Sequence, residues 1–444
     1  MSDQELLGLA MLGVMLFAIF IGIPIAFTLL FLALIFGYVG FGGVVFDLAY
    51  LQIVGLMKVA EFVAVPMFIL MGYVCDQAGL MERLFKAFRD LFAPVRGSLY
   101  LVVIATATLF GIAAGTVGAT VTLLGIMAGP MMIKAGYDVR MSAGAITAGG
   151  TLGILIPPSV MLVVMAPVLG ISILHLYAAA FGPGFLLAGM YIAYTLVRSF
   201  LNPKLGPPVP MEERQASYRI VIWECVVGLV PVTLLTFATL GVILAGLATS
   251  TEAAAMGALG AIVLVVLYGR FTWKGLLHAC NLTLATSAMV LFLAVASNVF
   301  GSVFARLGSA SWITDTLLAL PLPPWATLAL LLSLIFLLGW PFEWPAIVLI
   351  FLPILAPVAT TLGYDMVWFA TVVAVVLQTA FLSPPVAMSA YYLKSVVREW
   401  NLGLIYRGMA DFMVIQVACV ILVVMFPDIA MWFPRWLDAN VFQR

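Results

Sequence analysis

Two interruptions in otherwise apolar sequence hold the residues best suited to binding small ions. They span residues 149–159 and 377–386, and each contains a Pro-Pro pair among small and hydroxylated residues. Two successive prolines remove two backbone donors, so a helix must break there. Inside a membrane, broken backbone is tolerated only where protein buries it or where it lines a cavity. Unwound carbonyls and hydroxyls suit Na⁺, and the free N–H groups that begin the next half-helix suit a carboxylate.

The composition places these interruptions in a membrane protein. Of 444 residues, 65% are hydrophobic and 9% are charged, and the mean hydropathy is +1.22. A soluble protein carries about 25% charged residues. The formal net charge is zero, which argues against a nucleic-acid partner. We predict an all-α polytopic membrane protein.

The first part of the chain predicts scaffold helices followed by a re-entrant hairpin. Residues 80–96 place apolar and charged side chains on opposite faces, which predicts an amphipathic helix on the cytoplasmic surface. Residues 98–133 have a glycine- and threonine-rich centre at 111–120. They indicate a hairpin with its tip there, the alternative being one long tilted helix. Before them, apolar runs predict two or three crossings, the third bent near Pro66: 6–22, 24–45 and 48–75.

The second part predicts a similar arrangement after a proline-rich basic linker, residues 198–219. Residues 325–361 indicate a second hairpin, interrupted at 339–345. The loop after it, residues 361–366, contains no Lys or Arg, so this hairpin should enter from outside. Tyr391 and Tyr392 are candidate anchors at the membrane interface. The remaining predicted crossings are 141–176, 178–200, 220–247, 250–268, 276–304, 367–393 and 409–433.

The two halves repeat at an offset of 227 residues. The charge of the flanking loops places the first Gly-Tyr-Asp loop inside and the second outside, so the repeats are inverted in topology. Inverted repeats with broken helices are typical of secondary transporters. No Walker motif is present, so energy must come from an ion gradient or another subunit. The matched positions are Pro157-Pro158 with Pro384-Pro385, Met161 with Met388, Pro130 with Pro357, and Gly136-Tyr137-Asp138 with Gly363-Tyr364-Asp365.

These motifs resemble, over essentially the whole chain, the large membrane (M) subunit of tripartite ATP-independent periplasmic (TRAP) transporters. The residues at 339–345 and 381–385 resemble those of the family branch that is labelled for mannitol or chloroaromatic compounds. The motifs that carry the resemblance are Phe110-Gly111…Gly115-Thr116, Gly150-Thr151-Leu152-Gly153…Ile156-Pro157-Pro158-Ser159, Gly339…Glu343…Pro345 and Ser383-Pro384-Pro385-Val386.

The resemblance implies Na⁺-coupled import of an organic acid delivered by a periplasmic binding protein. It also implies a multi-pass location in a bacterial or archaeal cytoplasmic (inner) membrane, a separate small four-helix membrane subunit and an elevator mechanism, with 80–96 and 394–408 as arm helices. The implied division of the chain is 1–97, N-terminal scaffold helices and cytoplasmic arm helix; 98–176, repeat 1 hairpin and broken helix; 177–324, linker and scaffold helices; 325–393, repeat 2 hairpin and broken helix; and 394–444, second arm helix and C-terminal span.

The same resemblance implies two Na⁺ sites, each joining a hairpin tip to a break. The family's first tip usually reads Ser-Gly-Ser-Ser, whereas this chain has Ala-Gly-Thr-Val at 114–117 and so lacks two hydroxyls. The family's acidic residue at the second tip is usually Asp, and here it is Glu343. The implied ligands are Ala114, Thr116 and Val117 with the carbonyls of Gly153, Ile156 and Pro158, and Gly339 with Ala380, Ser383 and Pro385.

Five residues are candidates for contact with the transported molecule. An ionisable residue in a membrane is a functional hypothesis by default, so Glu343 either serves transport, or caps the half-helix that follows it or bonds backbone N–H groups at the tip. Asn298 either contacts substrate or ion, or forms a helix–helix hydrogen bond. The full set is Thr151, Ser159, Asn298, Glu343 and Thr379.

No constellation of catalytic residues is visible, and His175 and His278 stand far apart, so the chain is not expected to be an enzyme or to hold a cofactor. The sparse basic residues at the tips suggest a monocarboxylate such as a 2-oxo or 2-hydroxy acid. The alternative function is a self-sufficient ion-coupled anion or carboxylate transporter of a related elevator fold, which needs no binding protein.

The breaks generate a first prediction. Pro158→Ala and Pro385→Ala should each lower transport more than they lower the amount of protein in the membrane, because the breaks form the binding site. Uptake assays normalised to membrane expression test this. Unchanged transport in both variants would contradict the central role of the breaks.

Overall fold

A computed structural model describes residues 2–114, 117–208, 218–384 and 387–442, and the regular secondary structure in these ranges is helical. Nine helices in the described ranges are long and apolar enough to cross a membrane. This confirms the predicted all-α membrane fold.

Five helices form the N-terminal part. The third apolar run is not bent near Pro66 as predicted but is interrupted before it, over 58–63. Pro66 lies in the first turn of the next helix, where the missing N–H would have no partner anyway. The helices are α1 (Asp3–Phe20), α2 (Ile25–Phe41), α3 (Val44–Met57), α4 (Ala64–Ala78) and α5 (Leu80–Phe92).

Helix α5 is the predicted amphipathic helix. Its apolar face, including Leu84 and Phe88, is buried. On its polar face, Arg270 donates to Glu82 at 3.0 Å, and Lys86 lies 3.6 Å from Glu224. The helix ends at Phe92, four residues before the predicted boundary at 96.

The first repeat contains the predicted hairpin and broken helix. Two helices separated only by the tip pack against each other, so residues 98–133 are not one long helix. A short 3₁₀ turn, Leu152–Ile154, and an irregular segment then separate the two halves of the broken crossing. The helices are α6 (Ser98–Ala114), α7 (Val117–Lys134), α8 (Val139–Thr151) and α9 (Val160–Leu169).

The middle of the chain follows the predicted order with one addition, α14. The described part of the predicted linker, 202–208, packs against the first repeat, where Leu205 O accepts from Asp138 N at 3.1 Å. Residues 209–217 lie outside the described ranges. The helices are α10 (Ile173–Leu201), α11 (Tyr218–Thr236, continued by Phe237–Gly241 and Val242–Leu244), α12 (Ser250–Leu267), α13 (Trp273–Arg306) and α14 (Ser309–Leu318).

The second repeat and the C-terminus complete the fold. The helix that follows the second tip contains a π-helical turn, Ile347–Phe351. The helices are α15 (Pro324–Leu338), α16 (Trp344–Thr361), α17 (Met366–Gln378), α18 (Met388–Val396), α19 (Leu402–Met425) and α20 (Asp428–Leu437).

The prediction that residues 394–408 form a second arm helix is wrong. The segment is divided between the end of α18 and the start of α19. Lys394 Nζ donates to the carbonyls of Arg398 and Trp400 at 2.7 and 2.8 Å, which closes the turn between them. Asn401 then caps α19 by accepting from Gly403 N at 2.8 Å. The last predicted crossing, 409–433, likewise becomes α19 and a separate α20.

The sequence repeat is matched by the structure residue by residue. Helices α16 and α17 each begin and end 227 residues after α7 and α8, and the 3₁₀ turn Thr379–Phe381 follows Leu152–Ile154 by the same offset. The two Gly-Tyr-Asp loops set this register, because Asp138 caps α8 by accepting from Met141 N at 2.8 Å and Asp365 caps α17 by accepting from Trp368 N at 2.9 Å.

Helix α19 contacts the equivalent helices α8 and α17 at two different levels. Near its middle, Asp411 accepts from Arg140 Nε, near the start of α8, at 2.7 Å. Near its end, Val423 O accepts from Trp368 Nε1, near the start of α17, at 3.3 Å. At 1.5 Å per residue these two points are about 18 Å apart. The equivalent helices α8 and α17 therefore start at different levels along α19, and the inverted topology stays a prediction from the charge of the loops.

The close packing of α8 on α19 yields a second prediction. A Cβ atom on Gly408 would overlap the carbonyl oxygen of Arg140, a backbone atom that cannot turn away. Gly408→Ala should therefore destabilise the fold by about 1–3 kcal/mol and lower the midpoint of thermal unfolding in detergent.

The matched control is Gly189→Ala in α10, where a Cβ would have nothing within 4 Å. Equal unfolding midpoints for the two variants would show that the contact between α8 and α19 is looser than described.

Candidate functional site

The starts of four helices meet at one cavity of about 230 Å³. They belong to α7 and α9 in the first repeat and to α16 and α18 in the second. The first N–H groups of a helix have no partner within it, and they carry partial positive charge. Four such ends facing one space favour a bound anion. The residues that line the cavity from these helix starts are Val117, Gly118, Val160, Trp344, Pro345 and Met388.

The opposite wall comes from two helices outside the repeats, α4 and α13. Ile69 and Tyr73, four residues apart on α4, line the cavity together with Thr286 and Met289 of α13. The hydroxyl groups of Tyr73 and Thr286 are 3.1 Å apart and hydrogen-bonded, which ties the two helices together. The cavity thus lies between the repeated elements and a separate wall.

Behind the cavity, each hairpin meets the break of its own repeat through small residues. A Cβ on Gly111 would lie 2.5 Å from Gly153 Cα, and a Cβ on Gly339 would lie 2.9 Å from Ala380 Cβ. Gly153 and Ala380 are themselves related by the repeat offset. Small residues at these positions let the broken backbone approach the tip closely.

The prolines leave specific carbonyl groups without their helical donors. In a helix, the carbonyls of Gly153 and Ile154 would accept from residues 157 and 158, but both are prolines. The hydroxyl of Ser159 donates to Ile154 O instead. Gly153 O therefore lacks its helical donor, and Ala380 O lacks one for the same reason, because residue 384 is also proline. Neutral oxygens that lack donors are suitable ligands for Na⁺.

The predicted hydroxyl residues lie within the protein interior rather than on the cavity wall. Thr151 donates to Ala148 O at 2.9 Å, Thr379 to Val376 O at 2.6 Å and Ser383 to Thr379 O at 2.7 Å. All three side chains, like that of Ser159, are buried. Their protons are engaged, and the oxygen lone pairs remain the part that a cation can use.

The predicted ion ligands separate into those that the structure places and those that it does not describe. Ala114 ends α6, and Val117 begins α7 on the cavity lining. Ile156 and Pro158 are buried in the first break. Thr116 and Pro385 lie outside the described residues.

Asn298 takes part in the helix–helix bond that was one of its two predicted roles. Its Nδ2 donates to the backbone and side-chain oxygens of Gln52 on α3 at 3.1 and 3.0 Å. It lines a different cavity, of about 330 Å³, together with Ser297 and Ser302.

Glu343 does line the central cavity, and its side chain is exposed there. It occupies the N-cap position of α16, but its carboxylate makes no capping hydrogen bond. The predicted capping role is therefore wrong, because no backbone N–H of the first turn donates to the carboxylate, although the backbone carbonyl of Glu343 accepts from Ala346 N at 3.1 Å as at any helix start.

Sequence reasoning missed three polar side chains of the cavity, those of Tyr73, Thr286 and Tyr392. Tyr392, predicted as an interface anchor, lies over the first hairpin tip, since a Cβ on Gly118 would be 3.1 Å from its ring. The 227-residue repeat identified only the repeated hairpins and breaks as parts of the site. The sequence spacing of Tyr73 and Thr286 does not relate either residue to that repeat.

Comparisons with known proteins agree with this architecture. Residues 12–429 match the family described as "Tripartite ATP-independent periplasmic transporter, DctM component". The sialic acid TRAP transporter large permease SiaM of Vibrio cholerae is 31% identical over 419 residues, 94% of this chain and 96% of that protein. The C4-dicarboxylate TRAP transporter large permease DctM of Pseudomonas aeruginosa is 31% identical over 389 residues, 85% and 87% of the two chains.

Among solved structures, the YdaH transporter of Alcanivorax borkumensis has a similar fold. The TM-score is 0.61 at 17% identity, with 86% of this chain and 89% of that chain covered. At this identity the similarity concerns the fold.

The contact between the first tip and the first break gives a third prediction. A Cβ on Gly153 would lie 2.9 Å from Gly111 Cα, and neither backbone can yield without moving the tip. The added methyl group should strain this contact by about 1–3 kcal/mol. We therefore expect Gly153→Ala to transport roughly tenfold more slowly than the wild type while reaching the membrane in normal amounts.

Gly55→Ala in α3 is the control, because a Cβ there meets nothing within 4 Å. Wild-type uptake by Gly153→Ala, measured at matched expression, would show that transport does not depend on this close approach.

Proposed function

This chain belongs to the DctM family, the large permeases of tripartite ATP-independent periplasmic transporters, and from that premise we propose that it imports a small organic acid together with Na⁺. Its relatives are named permeases, so the expectation that it is not an enzyme is confirmed. It is a multi-pass protein of the inner membrane.

The main observation in favour of an organic acid as substrate is that four helices start at one cavity. Their unpaired N–H groups and dipoles favour a carboxylate without the need for a basic side chain. Relatives named for sialic acid, C4-dicarboxylate and 2,3-diketo-L-gulonate fit an organic acid. The cavity of about 230 Å³ favours a small one. The resemblance to the branch labelled for mannitol or chloroaromatic compounds stays a prediction.

Na⁺ is proposed as the second cargo, bound behind the cavity where each tip meets its break. The carbonyls of Gly153 and Ala380 support this, because each lacks its helical donor and belongs to a residue that packs closely against Gly111 or Gly339 of a hairpin. The other proposed ligands are those that the family resemblance implies: Ala114, Thr116, Val117, Ile156, Pro158, Gly339, Ser383 and Pro385.

The proposed mechanism is an elevator in which the repeated elements move against the wall formed by α4 and α13. Two observations support it. The cavity lies between these two groups of helices, and the amphipathic helix α5 connects α4 directly to the first hairpin. Residues 98–176 and 325–393 would form the moving part, as the sequence predicts.

The proposed partners are a periplasmic binding protein that delivers the acid and a small four-helix membrane subunit. The family description, a tripartite periplasmic transporter, supports both. The alternative is a self-sufficient ion-coupled anion or carboxylate transporter of a related elevator fold, which needs no binding protein.

Reconstitution separates these functions and is the fourth prediction. Proteoliposomes would contain this chain and the proposed small membrane subunit, with the proposed binding protein added outside together with a radiolabelled small monocarboxylate. Uptake should require an inward Na⁺ gradient, should fail with an equal K⁺ gradient, and should stop when either partner is omitted. Na⁺-driven uptake by this chain alone would favour the self-sufficient alternative.

A further inference from the structure

We propose that the transported acid also carries a cationic nitrogen, and that Glu343 binds it. The proposal rests on the proposed function and specifies its substrate class. It starts from a carboxylate that faces the cavity and that the fold itself does not use.

Glu343 is available to a ligand. It is exposed on the cavity side, and it does not cap α16. Within the part of the chain that the structure describes, no hydrogen bond or ion pair to its carboxylate is found. A carboxylate at membrane depth that lacks a partner is costly, and a bound cationic group removes that cost.

The remaining lining supports a cation next to Glu343. The described lining residues include no Lys, Arg or His, so no side chain of the wall neutralises the carboxylate. Aromatic rings of Phe381, Trp344, Tyr73 and Tyr392 share the same cavity. Aromatic faces together with a carboxylate are the surroundings in which proteins hold ammonium groups.

The two ends of such a substrate would meet complementary surroundings. Its carboxylate would face the N–H groups at the helix starts, and its nitrogen would face Glu343 and the rings. A ligand with a single negative charge would instead place two like charges in one small cavity, which is unfavourable. A zwitterionic acid avoids that repulsion.

The test uses three acids that share one carbon skeleton, namely 2-aminobutyrate, 2-hydroxybutyrate and 2-oxobutyrate. Each is titrated, in Na⁺, against this chain purified with its small membrane subunit in lipid nanodiscs. The amino acid should bind at least about tenfold more tightly than the other two, since a hydrogen bond between charged groups is worth more than a neutral one.

Glu343→Gln keeps the shape and an accepting oxygen but removes the charge. It should abolish the preference for the amino acid, because it weakens binding of the amino acid and removes the like charge that opposes the hydroxy and oxo acids. Glu399→Gln is the matched control, because that exposed carboxylate lies in the turn between α18 and α19. Half-saturation by Na⁺, measured without any acid, should be the same in all three proteins.

Equal binding of the amino and oxo acids would overturn the zwitterion proposal while leaving import of an organic acid intact. A change in Na⁺ affinity in Glu343→Gln, with the preference among acids unchanged, would overturn it too and assign Glu343 to the ion. Failure of all three acids to bind in Na⁺ would overturn both this inference and the proposed function.

Discussion

The structure depends on what happens to carbonyl groups that lose their donors inside a membrane. Consecutive prolines remove N–H groups, and hydrocarbon offers no water in exchange. The fold answers in two ways. At Ile154 a side chain, Ser159, supplies the missing donor. Gly153 and Ala380, whose carbonyls also lose their helical donors, pack closely against Gly111 and Gly339 of the hairpins, and in the proposed function a bound Na⁺ would satisfy these carbonyls.

That constraint explains why small residues surround both breaks. A tip that must seal a broken backbone has to approach it closely, and any Cβ at Gly111 or Gly339 would hold it off. Placing the break at the tip also puts the next helix start beside the start of the hairpin's second helix. In the proposed function, backbone N–H groups at these helix starts would bind the anion, and side chains such as Glu343 would distinguish one acid from another.

Much of the fold was predictable from the sequence, because the residues that repeat are ones that restrict the backbone conformation. Prolines, glycines and capping aspartates fix backbone geometry locally, so Asp138 and Asp365 start equivalent helices at equivalent positions. The hairpins and breaks were predicted on that basis. The turn at 397–401 was not, because it is closed by Lys394 bonding to carbonyls several residues away, a contact that helical periodicity does not reveal. The wall residues Tyr73 and Thr286 were missed because tertiary packing alone brings them to the cavity.

Helix α19 has a consequence for how the protein divides into parts. It is bonded near its middle to Arg140 at the start of α8 and near its end to Trp368 at the start of α17. A helix that is bonded to both repeats holds them at a fixed spacing. In the proposed elevator mechanism, α19 would therefore move together with the repeated elements, and the sliding boundary would lie beside α4 and α13.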